Sequence, residues 1–339
     1  MPKQFQHSTP PCQGGSLKTS LLLRAPLCQS YAMDSYPIKL HDNAAPEQKA
    51  RAMIGAVKAE IEARLSTVIP SEQTWPKQLH LAQRHALLSP GKRFRPLLCV
   101  FIAKGAGFDG KAATDVGCVA EMVHAASLIL DDLPCMDDAA LRRNQPTTHI
   151  AFDESTAILS ATALLNRAFG ILARLSSVSA ESRVELVDLL SYAVGSKGLI
   201  AGQIADLTNT DANASVAEIE RLNTLKTGAL FDFSIEGAAI LADVSATRRA
   251  ALKDFSYHLG LAFQLLDDVK DSVMSDAQAE KSVGRDAGKA TILALTGSKA
   301  AMERLSGYIT SAKDALARAE LSNSAALNTV IYTQFSFLK

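Results

Sequence analysis

Aromatic residues make up only 6% of the 339-residue chain, and there is a single Trp. That scarcity, beside abundant Ala and Leu, disfavours a β-sandwich or barrel, whose strands draw on aromatic and β-branched side chains. Cysteine is also sparse: Cys12, Cys28, Cys99, Cys118 and Cys135 are odd in number, scattered, and include no CxxC pair. A disulfide scaffold and a zinc site are thereby excluded, and a reducing compartment fits best. Neither sign of charge dominates, because 35 basic residues balance 35 acidic ones. No global field therefore attracts nucleic acid. A transmembrane segment is not expected either, since no stretch approaches the ~20 uncharged apolar residues a spanning helix needs. Residues 1–33 lack acids altogether while carrying Lys3, Lys18 and Arg24. Such a composition also occurs in transit peptides, which makes plastid targeting the alternative to a cytoplasmic protein. The plainer reading is a disordered N-terminal extension over 1–38, from an early start codon with Met33 as the natural one, ahead of a domain over 39–339.

What the chain does have is hydrophobic content, 47%, and a length that can bury a large core. Asp42 or Asn43 caps a first helix with Pro46 in its opening turn. Apolar positions then recur at three and four through Met53, Val57, Ile61 and Leu65 until Pro70. A second helix begins near Pro76 and stops before Ser89-Pro90-Gly91. Further helical patterns cover 94–104, 111–132, 154–175, 180–207, 215–241, 245–273, 297–319 and 323–336. No period-two run marks a strand, and no repeat of fixed length appears. About ten helices with short links predict one large all-α bundle. The uncharged faces of 94–104 and 117–130 are candidates for a homodimer contact.

Two acidic clusters stand out. An apolar helix from His124 ends in Asp131-Asp132, a proline-containing turn, then Asp137-Asp138. A second apolar helix carries Phe263-Gln264-Leu265-Leu266-Asp267-Asp268-Val269-Lys270-Asp271, whose three aspartates are spaced to share a helical face. One such cluster is most simply a solvated helix end. Two of them, each after a helix that should be buried, need a compensating cation. Carboxylate oxygens without His or Cys suit Mg²⁺, which keeps waters and bridges to phosphates. Basic residues occur in matching local groups: Lys92, Arg93 and Arg95 at a helix start, Arg142 and Arg143, then Lys226, Lys281, Arg285 and Lys289. Arginine forks onto phosphate oxygens, and a helix N-terminus favours anions.

With these residues in view, the chain resembles the trans-isoprenyl diphosphate synthases, and most closely the bacterial geranylgeranyl diphosphate synthases of carotenoid pathways. Asp131-Asp132-Leu133-Pro134-Cys135-Met136-Asp137 matches the longer form of the first aspartate-rich motif, with Arg142 and Arg143 as the arginine pair for allylic and homoallylic diphosphate. Lys92, Arg95 and His124 match isopentenyl diphosphate-binding positions. Gly202-Gln203 with Asp206, and Lys226-Thr227, match the next two motifs. Asp267, Asp268 and Asp271, preceded by Phe263 and Gln264, match the second aspartate-rich motif, and Lys281, Asp286, Gly288 and Lys289 a flexible loop. Pro90, Asn144 and Glu280 depart from glycines at those places, and Asn144 bears on how Arg143 is aimed.

The resemblance implies an all-α fold around a central hydrophobic substrate cavity, a homodimer, and about three Mg²⁺ per site. Asp131, Asp132, Asp137, Asp267, Asp268 and Asp271 would hold the metal. Ionisation of an allylic diphosphate is followed by attack of isopentenyl diphosphate, with Asp131, Asp267, Lys226, Thr227 and Gln264 carrying catalysis. Lys92, Arg95, His124, Arg142, Arg143, Phe263 and Lys281 bind substrate with Lys226, Thr227 and Gln264. Ala126 and Ser127 lie five and four residues before Asp131, roughly 6–8 Å along the helix. Their small side chains should let a fifteen-carbon chain pass toward Val123 and Met122, giving a twenty-carbon product. Farnesyl and longer-chain synthases are the neighbouring alternatives. A class I terpene cyclase would lack the Lys92–Arg95 group and the second aspartate cluster. A non-catalytic synthase subunit would have lost an aspartate motif.

Overall fold

The structure is a computed structural model that describes residues 44–208, 214–273, 291–322 and 324–335. Residues 38–338 form one compact unit, and the other unit, 1–37 with Lys339, lies outside the described residues. The helices are α1 (Ala44–Val68), α2 (Lys77–Leu87), α3 (Phe94–Gly105) and α4 (Lys111–Asp131). A minimal antiparallel pair follows, β1 (Leu141–Arg142) with β2 (Gln145–Pro146), then α5 (Thr148–Ala151) and α6 (Glu154–Leu172). α7 (Ala180–Val194), α8 (Leu199–Thr208) and α9 (Val216–Asn223) lead into a π-helical turn, Thr224–Gly228. α10 (Ala229–Leu241), α11 (Ala246–Val273), α12 (Ile292–Arg318) and α13 (Ser324–Phe335) complete the bundle.

Local chemistry sets the ends. Asp153 caps α6 by accepting from the Thr156 amide, and Ser215 with Glu218 forms a capping box on α9. α3, α4 and α10 are buried around most of their circumference, as expected of helices at the centre of a large bundle. α4 packs on α3, α6 and α10, while α11 packs on α10, α12 and the π turn.

The all-α expectation holds, with four differences in detail. The helix expected over 180–207 is broken, because a Cβ on Gly198 would sit 2.2 Å from the Ala193 carbonyl oxygen and only glycine allows that fold-back. The helix expected over 215–241 passes through the π turn, which hydrophobic periodicity does not register. Gly297, at φ 76°, kinks α12, so its regular part starts near the expected 297 while the element opens at Ile292. The two-residue strands are too short to leave a period-two pattern. By length and hydropathy α4 and α6 could cross a bilayer, unlike the reading from apolar runs, but 72% of the α4 window is buried in the fold. The uncharged faces of 94–104 and 117–130 are also used internally: Leu98, Cys99, Phe101, Val119, Met122 and Val123 are core residues. Those six side chains are therefore taken up within the chain's own core. Exposed apolar side chains occur instead on α6, at Ile158 and Leu159.

Candidate active site

The end of α4 is folded back on itself. The Asp137 amide donates to the Asp131 carbonyl at 2.8 Å, the Asp138 amide donates to Leu133, and buried Leu133 anchors the turn. The inserted Pro134 and Cys135 thus bring Asp137 back beside Asp131. Burial, reinforced by Asp137 and Asp132, pushes the Asp131 carboxyl up to about 6, against the pull of Lys226 and Arg142. Asp132 is engaged differently. Arg142 donates to both its oxygens, from Nε at 2.8 and 3.0 Å and from Nη2 at 2.7 Å. That bidentate pair holds Arg142 in place.

Arg143 and Asn144 form the two-residue loop between β1 and β2, both at positive φ, 53° and 58°. A tight two-residue hairpin requires this, and asparagine tolerates it nearly as well as glycine. The departure at Asn144 therefore preserves the turn that aims Arg143.

The three cations at the start of α3 do three different things. Lys92 is exposed. Arg93 is buried and paired with Glu62 and Glu121. Arg95 is buried, lies 4.6 Å from the Phe231 ring centroid and 5.7 Å from that of Phe263, and its Nε has no hydrogen-bond partner among the described residues. Phe263 stacks with Phe94 at 5.9 Å, so here it supports the Arg95 guanidinium. Desolvation lowers Arg95, while Glu121 and Asp267 favour its charge. His124 is pushed well below the usual histidine range by burial and then by Arg95, Arg143, Arg142 and Arg93. It is neutral at pH 7. His124, Glu121, Asp132, Arg142 and Arg143 line an open cleft.

α8 and the π turn connect this region to the second cluster. Lys226 Nζ donates to Asp206 at 2.6 Å and is drawn electrostatically toward Asp131. The Thr227 hydroxyl donates to Gln264 Oε1 at 2.6 Å, and Gln264 Nε2 donates to Asp268 at 3.0 Å. A π turn adds a residue to the helical circuit and often marks a functional site. Gly202 makes the junction sterically feasible, because a Cβ there would lie 2.3 Å from the Lys226 amide nitrogen. Asp267 and Asp271 are half-exposed one turn apart on α11, whereas Asp268 is buried toward Gln264. Val123, Met122 and Ala126 are fully buried in the core, and Ser127 is half-buried. Lys281, Arg285, Asp286, Gly288, Lys289 and Glu280 lie outside the described residues.

Among the described residues no three His, Cys, Asp or Glu side chains converge to cage a metal by themselves. Oxygen donors that fall short of a full cage fit Mg²⁺, whose remaining ligands are waters and substrate phosphates. Motif spacing did not point to Glu121, Glu62 or Ser89. The signal available for Glu121 was a lone acid inside the mostly apolar run 116–130, which also carries His124 and Ser127.

Residues 76–323 match the polyprenyl synthetase family. A geranylgeranyl diphosphate synthase from Pantoea ananas is 42% identical over 263 residues, covering 77% of this chain and 86% of the relative. A farnesyl diphosphate synthase from Bacillus subtilis is 38% identical over 260 residues, covering 76% and 88%. Among solved structures, an FPP/GFPP synthase from Zymomonas mobilis superposes with a TM-score of 0.74 at 33% identity, covering 86% of this chain and all of that one. A Helicobacter pylori geranyltransferase complexed with magnesium and isoprenyl diphosphate gives 0.77 at 28% identity, covering 87% and 100%. The motifs that carry the acids, the arginine pair and the π-turn lysine all fall inside the matched span, and the chain belongs to the polyprenyl synthetase family of prenyl-transferring enzymes.

Proposed function

We infer that the protein condenses isopentenyl diphosphate with dimethylallyl, geranyl and farnesyl diphosphates to make geranylgeranyl diphosphate. One observation carries this reading: two opposite charge imbalances share one region. On one side Asp131 is crowded by Asp137 and Asp132, and on the other the buried Arg95 has an unpartnered Nε beside a neutral His124. A magnesium diphosphate relieves both.

Asp131, Asp137, Asp267 and Asp271 would hold about three Mg²⁺, while Asp132 and Asp268 position Arg142 and Gln264. Bound Mg²⁺ supplies Lewis-acid stabilisation of the leaving diphosphate. Lys226, held by Asp206, would meet the diphosphate oxygens. Because Asp268 accepts from Gln264 Nε2, the Gln264 oxygen faces Thr227 and takes its hydroxyl proton. The lone pairs of Thr227 then point away from Gln264, toward the developing allylic cation, a preorganised dipole. Arg95, Lys92, His124 and Arg143 orient isopentenyl diphosphate so that its alkene attacks, and the departing diphosphate takes the proton. Holding both reactants in line supplies the entropic advantage.

Purified enzyme given farnesyl and isopentenyl diphosphates with magnesium should accumulate the twenty-carbon product. Accumulation of a fifteen-carbon or longer product would move the assignment to a neighbouring synthase, and no condensation at all would overturn it. Ser127 is the position to probe for chain length, because it is half-buried, whereas a ring at the fully buried Ala126 would overpack the core. Ser127→Phe is expected to shift the main product to fifteen carbons, read by chromatography of the dephosphorylated alcohols.

The same reading includes a cytoplasmic homodimer joined through α6. Scattered free cysteines, Cys99 and Cys118 both buried, suit a reducing compartment. Ile158 and Leu159, 45% and 62% exposed, supply the apolar face. Leu159→Glu should convert a dimer into a monomer in analytical ultracentrifugation; an unchanged sedimentation coefficient places the contact elsewhere.

A further inference from the structure

Arg93 is an unusual residue. It stands at the N-cap of α3 in the left-handed region, φ 51°, yet its side chain is almost wholly buried. A non-glycine residue keeps such a conformation only where its surroundings over-determine it. Here Nε and Nη2 fork onto Glu62 of α1 at 2.7 and 3.1 Å, Nη2 also donates to the Ser89 carbonyl at 2.8 Å, and Nη1 donates to Glu121 of α4 at 2.7 Å. One guanidinium therefore ties α1, α4 and the 89–93 loop together.

The same Glu121 oxygen lies 4.0 Å from Arg143 Nη2, and Arg143 Nη1 donates to the Ser89 hydroxyl at 3.1 Å. A Cβ placed on Gly91 would be 3.0 Å from Arg143 Nη1 and 3.2 Å from Arg93 Nη1, so two guanidiniums converge on one glycine. Like charges that close repel. Burial and the neighbouring Arg93 and Arg142 disfavour the charge on Arg143, and Glu121 is the strongest influence restoring it. Glu121 is itself only 4% exposed, and it lines the cleft with His124 and Arg143.

We propose that Glu121, anchored by Arg93, and Ser89 form a clamp that positions Arg143 for the diphosphate of isopentenyl diphosphate. The clamp rests on the condensation reading above. Neither member reaches the reacting atoms; both are positioning residues. An acid at an anion site would otherwise be counterproductive, and its use here is to hold a cation that two other cations push away.

Steady-state kinetics on the full chain with magnesium tests it. Glu121→Gln keeps the shape and removes the charge. It should raise KM for isopentenyl diphosphate ~10-fold, the scale of one charge-assisted contact, with kcat and the allylic KM within ~2-fold. In an Arg143→Gln background the same change should move that KM several-fold less than in the wild type, because most of the effect passes through Arg143 and only the remainder through Arg95. Additive effects, or equal loss for both substrates, would overturn the clamp. If Glu121→Gln yields no folded protein, Ser89→Ala decides: it leaves the Arg93 contacts in place and should raise the same KM ~3-fold or more, while an unchanged KM refutes the proposal. Wild-type enzyme without condensation activity would instead refute the underlying functional reading.

Discussion

Asp131→Asn is expected to lower kcat by about 10³-fold at saturating magnesium and to leave the fold intact. A metal-assisted leaving group draws several kcal/mol from its ligands, and each ~1.4 kcal/mol is tenfold in rate. Asp131 stands at the centre of the acidic group: Asp137 is folded back onto it, Asp132 is adjacent, and the Lys226 charge acts on it from the π turn. Replacing this half-buried, crowded carboxylate by its isosteric amide removes repulsion, so the metal-free protein should melt no lower and about 2 °C higher. Activity and stability thus move in opposite directions, a separation that simple unfolding cannot mimic. Turnover assays with a magnesium titration and calorimetry of chelator-treated protein measure both. A variant that keeps its rate within tenfold would remove Asp131 from the reaction.

Gly202→Ala is expected to be the most damaging single methyl. The added carbon would lie 2.3 Å from the Lys226 nitrogen and 2.6 Å from its Cα, and both neighbours are backbone. α8 and the π turn must separate by about 1 Å to admit it. Lys226 then loses its 2.6 Å contact with Asp206, and Thr227 loses its aim at Gln264. A displacement of that size at a positioning group costs roughly 10²-fold in rate. Overpacking of ~1–3 kcal/mol should lower the melting temperature by several degrees. Gly228→Ala is the control, because its Cβ would meet only side-chain and carbonyl atoms at 3.6 Å or beyond. Equal losses in the two variants would mean that a general disturbance of the segment, and not the close approach of α8, governs the rate.

Both substitutions concern motif members, but the reasons they matter differ in legibility. Asp131 and Asp267 are visible because repulsive charge at the end of an apolar helix demands compensation. Gly202 is visible only as a motif letter, since its partner lies 24 residues away in sequence and the distance that forbids a side chain is tertiary. The same holds for the cations near α3. As a string, Lys92, Arg93 and Arg95 form one basic group, yet Arg93 is consumed by two glutamates and Arg95 lies over aromatic rings. Glu121 went unmarked because one acid in an apolar helix carries no spacing signal.

Sequence alone determined the all-α class, the position of most helices, the two acidic clusters and the family they resemble. Those features rest on local periodicity, capping and charge density, which operate over a few residues. Tertiary structure decided which carboxylates hold other side chains, where α7 and α8 part, and how the π turn places Lys226 and Thr227. Each of those outcomes depends on the distance between atoms far apart in the chain, and on competition among neighbours for the same charge, neither of which a linear pattern contains.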